Sequence, residues 1–314
     1  MFSIFGRLGG RLFNAPYVLL ALTALFWAGN SVLGRYVAWH VPPVASGTIR
    51  WAGAALIVFG FALPYLRADW PTIRAHAGLL TLLSLTGISA FNTLLYYSLQ
   101  YTEAINALLL QSTGPLFIAG WTFLLFGERL ILRQFLGLLL SFAGVGVIVC
   151  RGDLTALLTV RFNLGDIYML VAMASYALYS ALLKKKPKIH PLSFVTVTMG
   201  WGAILLTPVY ALEIASGRSL AFDLTTVLTL VYVIVFPSLL AHFFFYRGVE
   251  LIGANRAAPT MYLVQIFGAA LAIIFLGEQP QLYHGLGYAL VLAGIFIATR
   301  QPDGIKKPSE DPPA

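Results

Sequence analysis

FLLFGERL at 123–130 and IIFLGEQP at 273–280 lie 150 residues apart, and superposing them puts Gly127–Glu128 on Gly277–Glu278. The register extends in both directions. Downstream, Gly137 falls on Gly287, and SFAGVGVIV (141–149) falls on VLAGIFIAT (291–299). Upstream, Trp51 falls on Trp201 and Tyr96 on Tyr246. One residue less of offset lays Trp27 on Tyr176, Ser31 on Ser180 and Arg35 on Lys184. Low-complexity apolar sequence inflates chance identity. A paired Gly-Glu followed by an aligned Ala-Gly is harder to produce by chance, and it predicts an internal repeat.

What each repeat contains follows from hydropathy. The chain has 314 residues, 59% apolar and 10% charged, against roughly 25% charged in a soluble domain. A mean hydropathy of +0.83 over the whole length excludes a water-soluble globule. A helix needs about 20 mostly apolar residues to cross the hydrocarbon core. Segments of that kind fall at 16–38, 44–66, 75–99, 102–126, 133–150, 165–184, 191–213, 225–248, 254–276 and 282–299. The expected fold is therefore an all-α polytopic membrane protein of ten transmembrane helices in two five-helix repeats, 16–150 and 165–299. A short N-terminal segment, 1–15, and a polar, proline-rich, disordered tail, 300–314, flank the repeats. The N-terminal segment lacks the apolar core and cleavage site of a signal peptide.

Charge sets the orientation. With a cytoplasmic N-terminus, fifteen of the 20 Lys and Arg fall inside, and four (Arg35, Arg151, Arg161, Arg218) fall outside. Arg50 lies within the second span. This is a strong positive-inside bias, and with ten spans it makes both termini cytoplasmic. Five spans per repeat is odd, so the halves enter the membrane from opposite sides. That architecture is common in secondary transporters, whose substrate site lies near the midplane between the repeats. The net charge of +8 therefore reads as topology and not as nucleic-acid binding. The connections are too short for a nucleotide-hydrolysing domain, and no phosphate loop, G-x-S-x-G or H-E-x-x-H is present. The reading is a non-enzyme with no cofactor and no metal site. The single cysteine, Cys150, allows no internal disulfide.

The same segments carry a family resemblance. LFWAGNSVLGRYV (25–37), IRWAGAALIV (49–58), FGERLILRQFLGLLLSFAGVGVIV (126–149) and LGEQPQLYHGLGYALVLAGIFIA (276–298) resemble the EamA-type exporters of the drug/metabolite transporter superfamily over about 16–300. The chain is similar to the bacterial branch that includes the aromatic amino-acid exporters. The resemblance implies a bacterial inner-membrane exporter of amino acids or related small metabolites. It also implies a central cavity lined by spans one to four and six to nine, with the fifth and tenth outside it.

Polar and aromatic residues recur at three- and four-residue steps on those lining spans, as one face of a helix requires. Trp27 and Asn30 lie on span one, Asn92 and Tyr96 on span three and Gln111 on span four. Tyr176 and Tyr179 lie on span six, Trp201 on span seven, His242 and Tyr246 on span eight, and Gln265 on span nine. These residues, with Arg50, are the candidate substrate-binding set. Isolated Ser and Thr bonding their own backbone, Asn and Gln acting as helix–helix glue, and interfacial Tyr and Trp are the structural alternatives. Gly114–Pro115 and Pro259 are candidate hinges, because proline removes a helical hydrogen bond. Spans five and ten are nearly bare of polar groups, and their glycines read as close helix packing.

Two titratable questions stay open. His242 is either interhelical glue or a proton- or substrate-binding group. No Asp or Glu falls in the middle of a span, which argues against coupling to protons through an acid. Arg50 lies about 9 Å along its helix from the outer end, where a lipid-facing charge is costly. It either snorkels outward or meets Glu103, backbone carbonyls or a substrate carboxylate. The repeat puts Gly200 at its twin position, so the charge has no symmetry partner. The functional expectation is a secondary transporter exporting neutral or aromatic amino acids by alternating access. The alternatives are a broad-specificity drug exporter, or a passive channel or scaffold.

Overall fold

A computed structural model describes residues 13–127, 132–153 and 163–299. The N-terminal segment, the tail and Glu128 lie outside these residues or largely so. The helices, in chain order, are α1 (Pro16–Tyr36), α2 (Pro43–Ala75), α3 (Ala77–Tyr101), α4 (Ala104–Phe126), α5 (Leu132–Val149), α6 (Leu164–Leu182), α7 (Pro191–Ala215), α8 (Leu224–Ile252), α9 (from Ala254 to Leu276, in several segments) and α10 (Leu282–Thr299). Eight of them, α1 to α8, are long and apolar enough to cross a membrane. Two shorter apolar helices, Thr260–Leu276 and Leu282–Ala298, follow. No strand occurs among the described residues.

The repeat is visible in the backbone. Gly127 ends α4 at φ 67°, ψ 17°, and Gly277 ends α9 at φ 67°, ψ 18°. Both sit in the left-handed region, which glycine enters without the steric cost other residues meet. This is the role of the glycine in the repeated Gly-Glu. Two π-helical segments, Ser84–Ala90 in α3 and Ile234–Leu240 in α8, also lie 150 residues apart. α4 leaves helical geometry at Ser112–Thr113, just ahead of Gly114–Pro115. α9 turns 3-10 at Ala258–Tyr262, a stretch that contains Pro259.

The halves are inverted. α5 and α10 cross so closely that a methyl group added at Gly144 would sit 2.6 Å from the Gly287 carbonyl oxygen, and one at Gly137 would sit 2.5 Å from that of Gly294. In the 150-residue register, Gly287 is the twin of Gly137, and Gly294 is the twin of Gly144. Each glycine therefore meets the other's twin, which is what a two-fold axis requires of two like surfaces. Ser141 Oγ donates to the carbonyl of its own twin, Val291, at 3.2 Å. That pair marks the axis.

α2 and α7 show the same symmetry through their caps. Glu213, near the end of α7, accepts the first amides of α2: Val44 N–H at 3.2 Å and Ala45 N–H at 2.8 Å. Reciprocally, Asp69 near the end of α2 accepts the His190 amide at the start of α7, at 2.9 Å. Carboxylates satisfy the orphan donors of a helix N-terminus and its dipole together. The Asp69 contact also accounts for the length of α2. The expected span stopped at 66, but the helix runs through Pro64 and Pro71 to Ala75. Glu278 caps α4 in the same way, taking Ala104 N–H at 2.7 Å and Ile105 N–H at 2.9 Å. The largest apolar core joins α3, α4 and α6 to α5, α9 and α10 around Leu95, Leu99, Ile105, Met169 and Ile148. A second core, around Trp51 and Met199, joins α2 to α7.

Candidate functional site: a buried cation at the junction of four helices

Arg50 projects from α2 into the meeting point of α1, α3 and α8 and is 3% exposed. It does not snorkel. Its Nε donates to Ser238 Oγ at 2.6 Å. Its Nη1 lies within donating distance of Asn30 Oδ1 (3.1 Å), Asn92 Oδ1 (3.2 Å) and the Tyr96 hydroxyl (2.8 Å). The guanidinium carbon stacks 4.5 Å from the Trp51 ring centroid. The acceptors are held in turn. Tyr96 donates to Asn30 Oδ1 at 2.8 Å, and the Asn92 amide donates to the Ile88 carbonyl at 3.1 Å. The Ser238 hydroxyl donates to the Val233 carbonyl at 2.7 Å. Ile88 and Ser238 belong to the twin π segments, whose widened turns leave carbonyls for side chains to use.

All of these partners are neutral. Arg50 makes no ion pair among the described residues. Glu103, one of its expected partners, instead lines a wide recess at the far end of α1 with Arg35, Trp39 and Glu278. The far end of a helix here means the end reached by Tyr36, and the near end is the one that starts at Pro16. The geometry answers to helix length: Glu103 precedes α4, several residues beyond the level of Tyr96. Beyond the Arg50 cluster on the far side, a pocket lined by Gly34, Val41, Ser46 and Thr229 holds about 10 Å³. That is no more than about one water-sized void.

A second group adjoins the first through α8. Trp27 Nε1 donates to the Pro237 carbonyl at 3.1 Å, and His242 Nδ1 approaches the same oxygen at 3.1 Å. The two rings meet edge to face, with centroids 5.6 Å apart. Pro237 precedes Ser238, so the indole and imidazole are one residue from the Arg50 cluster.

A third group is aromatic and lies toward the near side. Tyr176 and Tyr179 of α6 have ring centroids 5.7 Å apart, and Phe91 of α3 packs 4.8 Å from Tyr176. Tyr246 of α8 is close enough to interact electrostatically with both, although α6 and α8 are not a tightly packed helix pair. Tyr176 is 37% exposed and Tyr246 54%. Tyr176 and Tyr246 thus remain accessible although they lie near one another.

The remaining candidates stand apart from these groups. Trp201 is 44% exposed and donates to Thr81 Oγ1 at 2.7 Å. Gln265, with its amide turned to suit its neighbours, donates to the Tyr262 and Met261 carbonyls at 3.0 and 3.1 Å. It therefore ties down the irregular turn of α9. Gln111 Nε2 is buried without a hydrogen-bond partner. The Tyr96–Tyr246 pairing of the repeat does not carry over to environment: Tyr96 is buried in the cation cluster and Tyr246 is accessible.

Sequence reasoning missed two carboxylates. Glu213 is 5% exposed, and Asp166 in the first turn of α6 is fully buried. Both sit at the end of an apolar run, where water is the default surrounding. Only the packing of other helices over those ends removes it.

An all-helical membrane protein with inverted halves and a buried cation where four helices converge belongs to the class of membrane transporters. The EamA-like transporter family matches this chain twice, over residues 14–150 and 163–300. The chain belongs to that family, whose members are transporters of small molecules and not enzymes. It is 29% identical to an "Uncharacterized transporter" of Archaeoglobus fulgidus over 294 residues, covering 91% of this chain and 98% of that one. It is 27% identical to "Uncharacterized transporter YetK" of Bacillus subtilis over 295 residues, covering 91% and 88%. A solved structure titled "Crystal structure of protein" has the same fold, with a TM-score of 0.59 at 18% identity over 91% of this chain and 98% of that chain.

Proposed function

We propose that this chain is a secondary transporter that exports neutral or aromatic amino acids across the bacterial inner membrane. It would do so with ten spans, both termini cytoplasmic, two five-helix repeats (16–150 and 165–299) and alternating access through the central opening. The observation that carries this reading is Arg50: a permanent cation, buried, with four neutral partners and no carboxylate. Burying an unpaired charge is expensive. A solute carboxylate would supply the missing countercharge. All four bonds use Nε and Nη1, which leaves Nη2 to receive it. The solute's apolar or aromatic side chain would then lie toward Tyr176, Tyr179 and Tyr246, with Trp27 and His242 between. Gln111, Trp201 and Gln265 stand apart from this path, and any contact they make with the solute would come in another state of the cycle.

On the proposed orientation the near side is cytoplasmic. The structure would then correspond to the state that loads from inside, with the far gate closed over the Arg50 cluster. Gly114–Pro115 and Pro259 adjoin the breaks in α4 and α9, which suits them to act as hinges. A positive charge at the floor disfavours cationic amphiphiles, which weighs against a general drug exporter.

Counterflow in liposomes tests the reading. Vesicles holding purified full-length protein are preloaded with unlabelled phenylalanine, leucine, a decarboxylated amine analogue or a cationic dye, and entry of labelled phenylalanine is followed. Saturable counterflow with the amino acids and none with the amine supports the assignment. Equal counterflow with the amine or the dye refutes the carboxylate as the recognised group. Flux that neither saturates nor shows counterflow identifies a channel.

A further inference from the structure

The carboxylate of Asp166 occupies a joint unlike its counterpart in the first repeat. Gly165 lets α6 approach α3 so closely that a methyl there would lie 2.7 Å from the Ser98 carbonyl oxygen and 2.7 Å from the Thr102 amide. That approach drives Asp166 under the α3–α4 connection, where it is 0% exposed. One of its oxygens is well served: Oδ1 accepts Thr102 Oγ1–H at 2.6 Å and the Asn106 amide at 2.8 Å. The other, Oδ2, is buried with no hydrogen-bond partner. Asn106 Oδ1 and Ser98 Oγ are also buried without partners.

The charged and titratable groups around the joint are Glu103 before α4, Arg151 after α5, and Tyr283 and His284 at the start of α10. Asp166 forms an ion pair with none of them among the described residues. The bland reading is a first-turn acid stabilised by the dipole of α6. That stabilisation is small and is greatest at exposed termini, whereas an anionic oxygen buried without a donor carries its full desolvation penalty. Symmetry argues in the same direction. In the offset of 149 that aligns the first and sixth spans Asp166 falls on Tyr17, and in the 150-residue register Thr102 and Asn106 fall on Ile252 and Arg256, so closing the equivalent joint of the first repeat needs no buried acid.

We infer that Asp166 is a proton-binding site, with the proton held on Oδ2, and that the proton clamps α6 to the α3–α4 connection. A proton on Oδ2 removes the buried charge and turns an unpartnered acceptor into a donor. Its release leaves a carboxylate and passes the proton to water, which requires water to enter the joint. Proton occupancy and opening of this joint are therefore linked. The site lies on the far side of the molecule, away from the aromatic group, and does not depend on which solute is carried.

Infrared difference spectroscopy of the full-length protein in lipid nanodiscs, recorded in light and heavy water, reads the proton directly. The expected result is a protonated-carboxyl carbonyl band at neutral pH that disappears in Asp166→Asn. That amide can donate where the acid does, so the variant should melt at the wild-type temperature or above. Asn106→Leu supplies a second reading should Asp166→Asn fold poorly: it should keep the band but shift its frequency. A neutral-pH spectrum without a protonated-carboxyl band, or a band unchanged in both variants, overturns the inference. So does loss of the band on adding sodium chloride at constant pH, which would make the ligand a metal cation. None of these outcomes depends on solute transport.

Discussion

Replacing Arg50 with methionine separates a recognition role from a structural one, because the cluster around it is held by its own bonds. Four hydrogen bonds vanish with the guanidinium. Asn30 Oδ1 keeps the Tyr96 hydroxyl at 2.8 Å, and the Ser238 hydroxyl keeps the Val233 carbonyl at 2.7 Å. Asn92 keeps its amide bond to Ile88 but leaves Oδ1 without a donor. One orphaned buried acceptor costs about 1–3 kcal/mol. Removing a buried charge returns part of that, and methionine fills most of the volume. The expected net loss is therefore at most about 3 kcal/mol, inside the roughly 5–15 kcal/mol that a typical fold holds in reserve. If the guanidinium binds a solute carboxylate, truncating one partner of a buried charge pair costs about 2–5 kcal/mol in binding. At about 1.4 kcal/mol per tenfold, affinity falls roughly thirty-fold or more. The assay pairs a melting curve of the purified variant with phenylalanine counterflow over a range of concentrations. A folded variant with strongly weakened counterflow is the expected result. Wild-type counterflow removes Arg50 from the site, and a variant that does not fold makes the cluster architectural.

Three further outcomes follow from the packing and the caps. Gly144→Leu should destabilise the α5–α10 crossing by about 1–3 kcal/mol through overpacking, since its first added carbon meets the Gly287 carbonyl at 2.6 Å. Gly146→Leu, with nothing within 4 Å, should leave the melting temperature unchanged. Glu213→Ala orphans the Val44 and Ala45 amides at the start of α2 and should lower stability by about 0.5–2 kcal/mol, with Glu213→Gln intermediate; melting without such a shift would show that water replaces the cap. Asp223, before α8, is held down to about 2 by the Thr226 amide first and by His40 next. A depressed carboxylate stabilises the fold above its unfolded value of about 3.9, and that contribution is lost as pH falls through about 2. Asp223→Asn should therefore lower the melting temperature at neutral pH and make no difference at the acid end of that window; a difference that persists there would assign the effect to something other than the charge.

Much of the frame is legible in the sequence because lipid and backbone sterics leave few solutions. Apolar runs of span length must become helices, since unsatisfied backbone groups are too costly in hydrocarbon. The repeated Gly-Glu could be read as a repeat, but not for what it does. The glycine supplies the left-handed end of α4 and α9, whereas Glu278 reaches across to the start of α4. The cap is given to a helix of the opposite repeat, because inversion lays the end of one helix beside the start of its twin. The same rule hides Glu213, and the α3–α4 connection covers Asp166. Each looks like an interfacial acid until it is covered.

The candidate site was legible where a residue's own helix decides its direction, and illegible where the π segments intervene. Asn92 and Tyr96 share a face of α3 by simple periodicity, and there they meet Asn30 of α1 and Arg50 of α2. Ser238 joins them because the widened turn at Ile234–Leu240 rotates the following residues. That rotation also exposes the Pro237 carbonyl to Trp27 and His242. Nothing in the apolar text IVFPSLL announces a π segment except its proline, and its twin SLTGISA has none. Two twins with unrelated sequences therefore adopt one backbone geometry. The shared frame belongs to the symmetry of the fold, while the chemistry departs from it: Arg50 stands opposite Gly200, and Asp166 opposite Tyr17. A pseudo-symmetric pair of halves can exchange conformations at little cost, because each state resembles the other inverted. On the proposed mechanism, direction and selectivity would come from residues present on one side only, and Arg50 and Asp166 are buried ionisable side chains of that kind.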